Sequence, residues 1–258
     1  MEKIFIKNRN DQKVAVVVDQ TPDQRGLVFV MHGLGGSKDQ AHIRVSGSAF
    51  KERGFTVVSF DTTNTFGESD GDYADATTTN YYADLEDVIA WASTQPWYAE
   101  PFVLVGQSLG GMSSALYAEK HPEKVRALVS ISGAVSGKLT SEAPGYKREI
   151  PEWKRTGWRE TERASRPGTM KRLRWSFMED FMHYDILPNA ALLTMPVLLI
   201  TGDHDERIPA DHQKILFDTL LGPKELHIIP GAPHTLRDPA HLAELKNLLF
   251  NWIDAHLV

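Results

Sequence analysis

The stretch PFVLVGQSLGGMSSALYAEKHP, from Pro101 to Pro122, decides the fold. It begins as an unbroken apolar run, which is typical of a strand buried on both faces of a sheet. The run ends at Gly106, and after a glycine-rich turn around Ser108 the chain continues with an alanine-containing pattern of helical period. This order predicts a strand that passes directly into a helix, with Ser108 at the turn between them.

A glycine-rich turn between a strand and a helix can also bind phosphate, and residue identity tests that interpretation. The dinucleotide pattern G-x-G-x-x-G needs its second glycine where this sequence has Ser108, and the Walker pattern needs a lysine that does not follow Gly111. A second glycine-rich stretch, HGLGGSKD from His32 to Asp39, also departs from both patterns. Neither stretch is therefore predicted to bind a phosphate.

The segment GQSLG, from Gly106 to Gly110, instead matches G-x-S-x-G, the nucleophile elbow. A serine held in a strained strand-to-helix turn brings the neighbouring backbone close together, and glycine on either side relieves the crowding. The turn lifts the Ser108 hydroxyl above the carboxyl edge of the sheet. It also places the next amide at a helix N-terminus, where developing negative charge is stabilised.

Apolar runs alternate with helical patterns along most of the chain. The runs are GLVFVM, FTVVSF, VRALVSIS, PVLLITG and ELHIIPG, and two edge-like strands, KIFIK and KVAVVV, precede them. The pattern predicts an α/β fold with a mostly parallel, doubly wound sheet of about eight strands, covered by helices on both faces. The last helix is expected to begin with Asp238 as N-cap and Pro239 at its first position.

Residues 136–187 interrupt this alternation. Within them, residues 136–185 lack a convincing central strand, carry a net charge of +3 in a chain whose net charge is −6, and hold three of the six tryptophans. An irregular insertion of this length between two strands predicts a cap or lid subdomain. Residues 1–258, including this insertion, are predicted to form a single domain.

A nucleophilic serine needs a base, an acid that orients the base, and an oxyanion hole. GDHDERIP follows the next-to-last strand and offers Asp203 and Asp205, and PGAPHT follows the last strand and offers His234. Asp205 is favoured as the acid because it lies further past its strand, whereas Asp203 is expected to bind turn amides. His234 is the expected base.

The early glycine-rich loop supplies the remaining part of such a site. The backbone N–H groups of Leu34 and Leu109 are the predicted oxyanion donors. His32 is expected to hydrogen-bond loop backbone, and the acidic stretch from Asp61 to Asp72 is expected to be a solvated loop.

Composition excludes several classes of function. A net charge of −6 gives no general attraction to nucleic acid or to anionic membranes, and no cysteine is present to form a disulfide or a thiolate metal site. His204 lies between two aspartates, but no second histidine has close ligand spacing, so no metal and no cofactor are predicted. The missing signal pattern and membrane span lead us to expect a cytoplasmic protein.

HGLGG, GQSLGG, GDHDERIP and PGAPHT together resemble the α/β-hydrolase family, and NTFGESDG resembles a loop of its small soluble esterases. The resemblance covers essentially the whole chain. It implies Ser108 as nucleophile, Asp205 as acid and His234 as base. The insertion resembles the helical cap between the sixth and seventh strands of small esterases, including some that cleave cinnamoyl or feruloyl esters.

We therefore expect a serine hydrolase, a carboxylesterase that cleaves small-molecule esters of a medium-sized or aromatic acyl group. The aromatic residues of the cap are the predicted substrate contacts: Trp153, Trp158, Phe177 and Phe181. The same triad would also suit a thioesterase, a peptidase or an acyltransferase, and a ligand-binding receptor with little turnover is the alternative from another class.

Overall fold

Residues 1–162 and 168–257 are described by the computed structural model. The strands are β1 (Glu2–Lys7), β2 (Lys13–Asp19), β3 (Gly26–Met31), β4 (Phe55–Phe60), β5 (Phe102–Gln107), β6 (Val125–Ile131), β7 (Trp158–Glu162), β8 (Met170–Arg174), β9 (Val197–Gly202) and β10 (Lys224–Ile229). The helices are α1 (Ala41–Glu52), α2 (Thr78–Ala92), α3 (Leu109–Lys120), α4 (Gly137–Ser141), α5 (Pro144–Thr156), α6 (Ser176–Phe181), α7 (Ala210–Thr219) and α8 (Pro239–His256).

Eight of these strands form the central sheet, in the order β1-β2-β4-β3-β5-β6-β9-β10. The β1–β2 and β2–β4 pairs are antiparallel, and the pairs from β4 through β10 are parallel. The structure thus confirms the predicted mostly parallel sheet. The carboxyl ends of its parallel strands meet at one edge, where a doubly wound sheet places its ligands.

The central strands are apolar throughout because the sheet has a core on each face. In β3, Phe29 faces a core that includes Leu85 of α2 and Met112 of α3, whereas Val30 faces a core that includes Trp252 of α8. Full burial of each large apolar side chain stabilises the fold by about 1.5–3 kcal/mol. The two faces therefore explain why these strands have no polar alternation.

The last helix begins as its sequence predicts. The Asp238 side chain accepts a hydrogen bond from the Ala240 N–H, and Pro239 occupies the first helical position. These features satisfy a free N–H at the helix start and preset the backbone angle. Helix α8 then packs beside α1 on one face of the sheet.

The insertion between β6 and β9 contains more than helices. Besides α4, α5 and α6, it has an antiparallel pair, β7 with β8, which we call the cap hairpin. The insertion contributes no strand to the central sheet, as expected. The cap hairpin was not predicted from the sequence. Its two strands, WRETE and MKRLR, alternate charged and partly buried residues and contain no continuous apolar run.

The insertion leaves the sheet and returns to it at one narrow point. Ser136 and Asp185 form an isolated antiparallel bridge, and the Ser136 hydroxyl donates to Asp185 Oδ2 at 3.0 Å. The Gly137 N–H donates to the Tyr184 carbonyl at 2.8 Å. These contacts tie the two ends of the insertion together above the carboxyl edge of the sheet.

Candidate active site

Ser108 lies at a sharp turn between β5 and α3, with φ 55° and ψ −116°. A non-glycine residue in this region is strained, and such strain is typical of functional turns. A Cβ on Gly106 would collide with the Gly110 carbonyl oxygen, and a Cβ on Gly110 would lie 2.5 Å from the His32 carbonyl oxygen. The two flanking glycines therefore allow the backbone approach that the elbow requires.

His234 joins Ser108 to Asp205. Its Nε2 lies 3.0 Å from Ser108 Oγ, and its Nδ1 lies 2.8 Å from Asp205 Oδ2. Because a carboxylate only accepts hydrogen bonds, the neutral ring carries its proton on Nδ1 and leaves Nε2 to accept from the serine hydroxyl. The structure thus brings together the three residues that the sequence nominated.

Asp205 is held in place by its own loop. The Arg207 and Ile208 N–H groups each donate to Asp205 Oδ1 at 2.8 Å, and the carboxylate side chain is 0% exposed. These bonds fix Oδ2 toward the imidazole. Asp203 instead accepts from the Gly231 N–H at 2.6 Å, so it stabilises the turn after β10, as the sequence interpretation expected.

The two predicted oxyanion donors lie on either side of the serine. Leu34 contributes to the cavity wall beside Ser108, and Leu109 is the first residue of α3. The first N–H groups of a helix have no acceptor within the helix, so the Leu109 amide is available to a developing oxyanion. The Leu109 side chain packs in the core, so only its backbone amide is free to serve the predicted role.

His32 fixes the shape of the loop that carries Leu34. Its Nε2 accepts from the Thr62 N–H at 3.1 Å, and its Nδ1 donates to the Gly33 carbonyl at 2.7 Å. Burial lowers the pKa of His32, so the ring is neutral, as this bonding pattern requires. The expected hydrogen bond from His32 to loop backbone is present.

A buried ion pair between Lys38 and Asp61 also holds the loop that carries Leu34. The Lys38 ammonium donates to Asp61 Oδ2 at 2.9 Å and to Glu68 Oε2 at 2.8 Å, and the Lys38 N–H donates to Asp61 Oδ1 at 2.8 Å. Burial would lower the pKa of Lys38, but the two carboxylates raise it. The expectation of a solvated acidic loop was wrong for Asp61, which is fully buried because it pairs with Lys38.

A cavity of about 360 Å³ opens directly above Ser108 and His234. Its floor comes from the glycine-rich loop, and its roof comes from the cap hairpin and α5. The side chains that cover it are mostly polar or charged, and they include Tyr146, Arg159 and Arg207. The cavity is large enough for a small organic substrate.

The four aromatic residues predicted to contact substrate do not line this cavity. Trp153, Phe177 and Phe181 are buried inside the cap, where their rings stack and the Trp153 Nε1–H donates to the Leu173 carbonyl at 3.1 Å. Trp158 lies under the guanidinium groups of Arg172 and Arg174. These rings pack because the cap must bury a small core of its own.

Sequence reasoning missed the charged residues of the cavity wall. Arg159 and Lys171 lie on the inward face of the cap hairpin, and Arg207 lies two positions after Asp205. The cap cations looked like a solvated surface from composition alone. The period-two alternation in WRETE and MKRLR was the available signal, because it assigns Arg159, Thr161, Lys171 and Leu173 to one face.

Neither a metal cluster nor a membrane span is found within residues 1–162 and 168–257. No group of three or more His, Asp or Glu side chains there could hold a metal ion. In the same part of the chain, no helix has the length and hydropathy needed to cross a bilayer.

Residues 26–181 match the model of the α/β-hydrolase fold, and the chain belongs to this family. A shorter match, over residues 165–256, is to the PhoPQ-activated pathogenicity-related proteins. The family assignment agrees with the eight-stranded sheet and with the resemblance of the loop motifs.

The chain is similar to several named proteins and solved structures. The palmitoyl-protein thioesterase ABHD10 of Mus musculus is 29% identical over 232 residues, which are 89% of this chain and 75% of that protein. The structure of ferulic acid bound to Est1E from Butyrivibrio proteoclasticus superposes with a TM-score of 0.82 at 21% identity, covering 98% of both chains. Mouse α/β-hydrolase domain-containing protein 10 gives a TM-score of 0.78 at 23% identity, covering 99% of both.

Proposed function

We propose that this protein is a serine hydrolase that cleaves carboxylic esters through an acyl-enzyme intermediate. The observation that carries the proposal is the continuous hydrogen-bonded line from Ser108 through His234 to Asp205, at the carboxyl edge of the sheet and beneath a cavity. Ester chemistry needs this combination of nucleophile, base and orienting acid. Residues 136–187 act in this proposal as the cap that covers the site.

In the first half of the reaction, His234 Nε2 takes the hydroxyl proton as Ser108 Oγ attacks the ester carbonyl carbon. Asp205 stabilises the imidazolium that forms, and the Leu34 and Leu109 amides bind the oxyanion. The tetrahedral intermediate collapses when the imidazolium gives its proton to the leaving alcohol oxygen. The acyl group is then bonded to Ser108.

In the second half, His234 removes a proton from water, which attacks the acyl carbonyl carbon. The tetrahedral intermediate collapses with the proton returned to Ser108 Oγ, which releases the acid. The elbow geometry keeps Ser108 Oγ at the cavity floor in both halves, so the same base serves twice.

A thioesterase is the second candidate, because the mouse relative that covers 89% of this chain is named a palmitoyl-protein thioesterase. The triad would attack a thioester carbonyl by the same steps. The charged wall and the cavity volume of about 360 Å³ favour a short, polar acyl group over a long alkyl chain. We therefore place a small ester ahead of a palmitoyl thioester.

A fluorophosphonate probe tests the nucleophile, and a substrate panel tests the reaction. We expect the probe to label wild-type protein on Ser108, and Ser108→Ala to lose both labelling and turnover of short p-nitrophenyl esters. Ser93→Ala removes an exposed hydroxyl that lies outside the site, and it should label like wild type. Absent labelling and absent turnover in folded wild-type protein would refute the hydrolase and favour a binding receptor. Faster cleavage of acyl thioesters than of matched oxyesters would favour the second candidate.

A further inference from the structure

The wall of the cavity above Ser108 carries an excess of fixed positive charge. Among the residues that the structure describes, three cations line it, namely Arg159 and Lys171 from the cap hairpin and Arg207 from the loop that contains Asp205. We call these three residues the cationic wall. They face the same space as the Ser108 hydroxyl, so an anion held by them would lie within the same cavity as the nucleophile.

Arg159 is largely buried, with its side chain only 10% exposed. Its guanidinium lies 4.7 Å from the centre of the Trp153 ring, and Nη2 donates to the Tyr73 hydroxyl at 3.2 Å. A guanidinium has five N–H donors and keeps its charge when buried, so burial is costly unless anions compensate it. The carboxylate near Arg159 is Glu149, at 3.6 Å from Nη1.

The Glu149 carboxylate is shared by Arg159 and Arg207. Arg207 donates from both terminal nitrogens to Glu149, with Nη1 at 2.7 Å from Oε2. Burial would raise the pKa of Glu149, but Arg207 and then Arg159 lower it, so Glu149 is ionised. The Tyr146 ring lies between the two guanidinium groups, 5.1 Å from that of Arg207 and 5.9 Å from that of Arg159. One carboxylate thus balances two rigidly held arginines.

Lys171 adds a third positive charge across the hairpin. Lys171 of β8 pairs with Thr161 of β7 in the hairpin register. Arg159 lies two residues before Thr161 on β7 and is on the same inward face of the hairpin. The Lys171 ammonium also lies 5.8 Å from the centre of the Tyr73 ring. Among the described residues that line the cavity, Glu162 is the acidic one, and Glu149 is not part of that lining but pairs with both arginines. Three cations and two carboxylates leave this wall with a formal charge of +1.

We propose that the site selects esters that carry a carboxylate, which the cationic wall binds while Ser108 attacks the ester carbonyl. The inference rests on the proposed function and names its substrate class. A carboxylate matches the planar donor pattern of arginine and makes charge-assisted hydrogen bonds, which are about twice as strong as neutral ones. Because the Arg159 side chain is only 10% exposed, its attraction for an anion is stronger than in bulk water.

Matched substrates measure this preference directly. Two p-nitrophenyl esters of the same length are compared, a hemiadipate that ends in a carboxylate and its neutral terminal amide. We expect wild-type protein to favour the anionic ester by about tenfold or more in kcat/KM, after subtraction of the uncatalysed rate. High salt should reduce the ratio. A second pair, p-acetoxybenzoate and p-acetoxybenzamide, places the carboxylate on the alcohol side and shows which half of the ester the wall binds.

Variants then assign the preference to the wall. Arg159→Gln and Lys171→Gln should each lower the anionic-to-neutral ratio several-fold, and Arg159→Lys should give an intermediate ratio because the charge stays but the planar donor pattern is lost. Arg172→Gln is the matched control: it removes the same charge from the outer face of the same hairpin, where Arg172 pairs with Glu160, and should leave the ratio unchanged. Circular dichroism of each variant checks folding.

The outcomes separate this inference from the proposed function. If Ser108 is labelled and neutral esters are cleaved, but neither pair shows an anionic preference, only the substrate class is wrong. An anionic preference that Arg159→Gln and Lys171→Gln leave unchanged would overturn the role of the wall and assign these cations to holding the cap. If no ester is cleaved and Ser108 is not labelled, the proposed function fails and this inference fails with it.

Discussion

Glu119 gives a prediction whose size can be worked out from its surroundings. It lies near the end of α3, the helix that begins after Ser108, and is 7% exposed. Among the described residues, its Oε1 has no hydrogen-bond partner. Burial, and then the charge of Asp185, raise the pKa of Glu119 to about 8. The carboxyl is therefore protonated in the folded protein at neutral pH but ionised in the unfolded chain.

This difference makes stability depend on pH with a definite sign. Between its ordinary pKa of 4.5 and the folded value of about 8, the unfolded chain binds fewer protons at Glu119, so stability falls as pH rises through this range. A pKa difference of that size corresponds to at most about 5 kcal/mol. A neighbouring open cavity brings solvent to the carboxyl, so we expect about 1–3 kcal/mol after screening.

Glu119→Gln removes the titrating carboxyl, so the free energy of unfolding should fall less as pH rises. The variant should gain about 1–3 kcal/mol over wild type between pH 4.5 and about pH 9, because the cost of ionising a buried carboxyl is gone. Urea unfolding followed by tryptophan fluorescence at several pH values measures this difference. Glu123→Gln is the control, since the Glu123 side chain is 67% exposed. A stability difference between Glu119→Gln and wild type that is the same at every pH would refute the reasoning.

Two further predictions concern the triad and the elbow. Asp205→Asn should lower kcat by about 10³–10⁴-fold because the neutral amide cannot stabilise the imidazolium. Asp203→Asn should change kcat by less than about threefold, because Asp203 bonds only to turn backbone. The reverse result would assign the role of the acid to Asp203. Gly110→Ala should destabilise the protein by about 1–3 kcal/mol and reduce kcat/KM, because the new Cβ would lie 2.5 Å from the His32 carbonyl oxygen; an unchanged thermal melting temperature would contradict the crowding argument.

Local sequence patterns predicted those parts of the molecule where a single steric or topological requirement determines the residue type. Gly106 and Gly110 were predictable because no Cβ fits beside the backbone of the elbow. Asp205 and His234 were predictable because the chain must place both just past the ends of parallel strands, which meet at one edge. Their contact distances confirm the proximity of these side chains, whereas their catalytic roles remain proposals.

Local sequence patterns failed where a distant segment supplies the partner of a side chain, either in an ion pair or in a common core. Asp61 directly follows β4 and is succeeded by polar residues in the sequence, and only the fold brings the Lys38 ammonium to it and buries both. Trp153 could face a substrate or a cap interior by composition, and packing against Phe177 places it in the interior. In each case, the deciding partner lies more than twenty positions away in the chain.

The sequence by itself determined the doubly wound sheet, the elbow at Ser108 and the order of its partners, because periodicity and steric demands are local. Only the tertiary structure decided which side chains line the cavity above Ser108. Arg159, Lys171 and Arg207 converge on one cavity because the cap hairpin folds back over the sheet edge. That convergence depends on the hairpin register and on Glu149, which pairs with Arg159 of the neighbouring strand and with Arg207 of a segment that is distant in the chain.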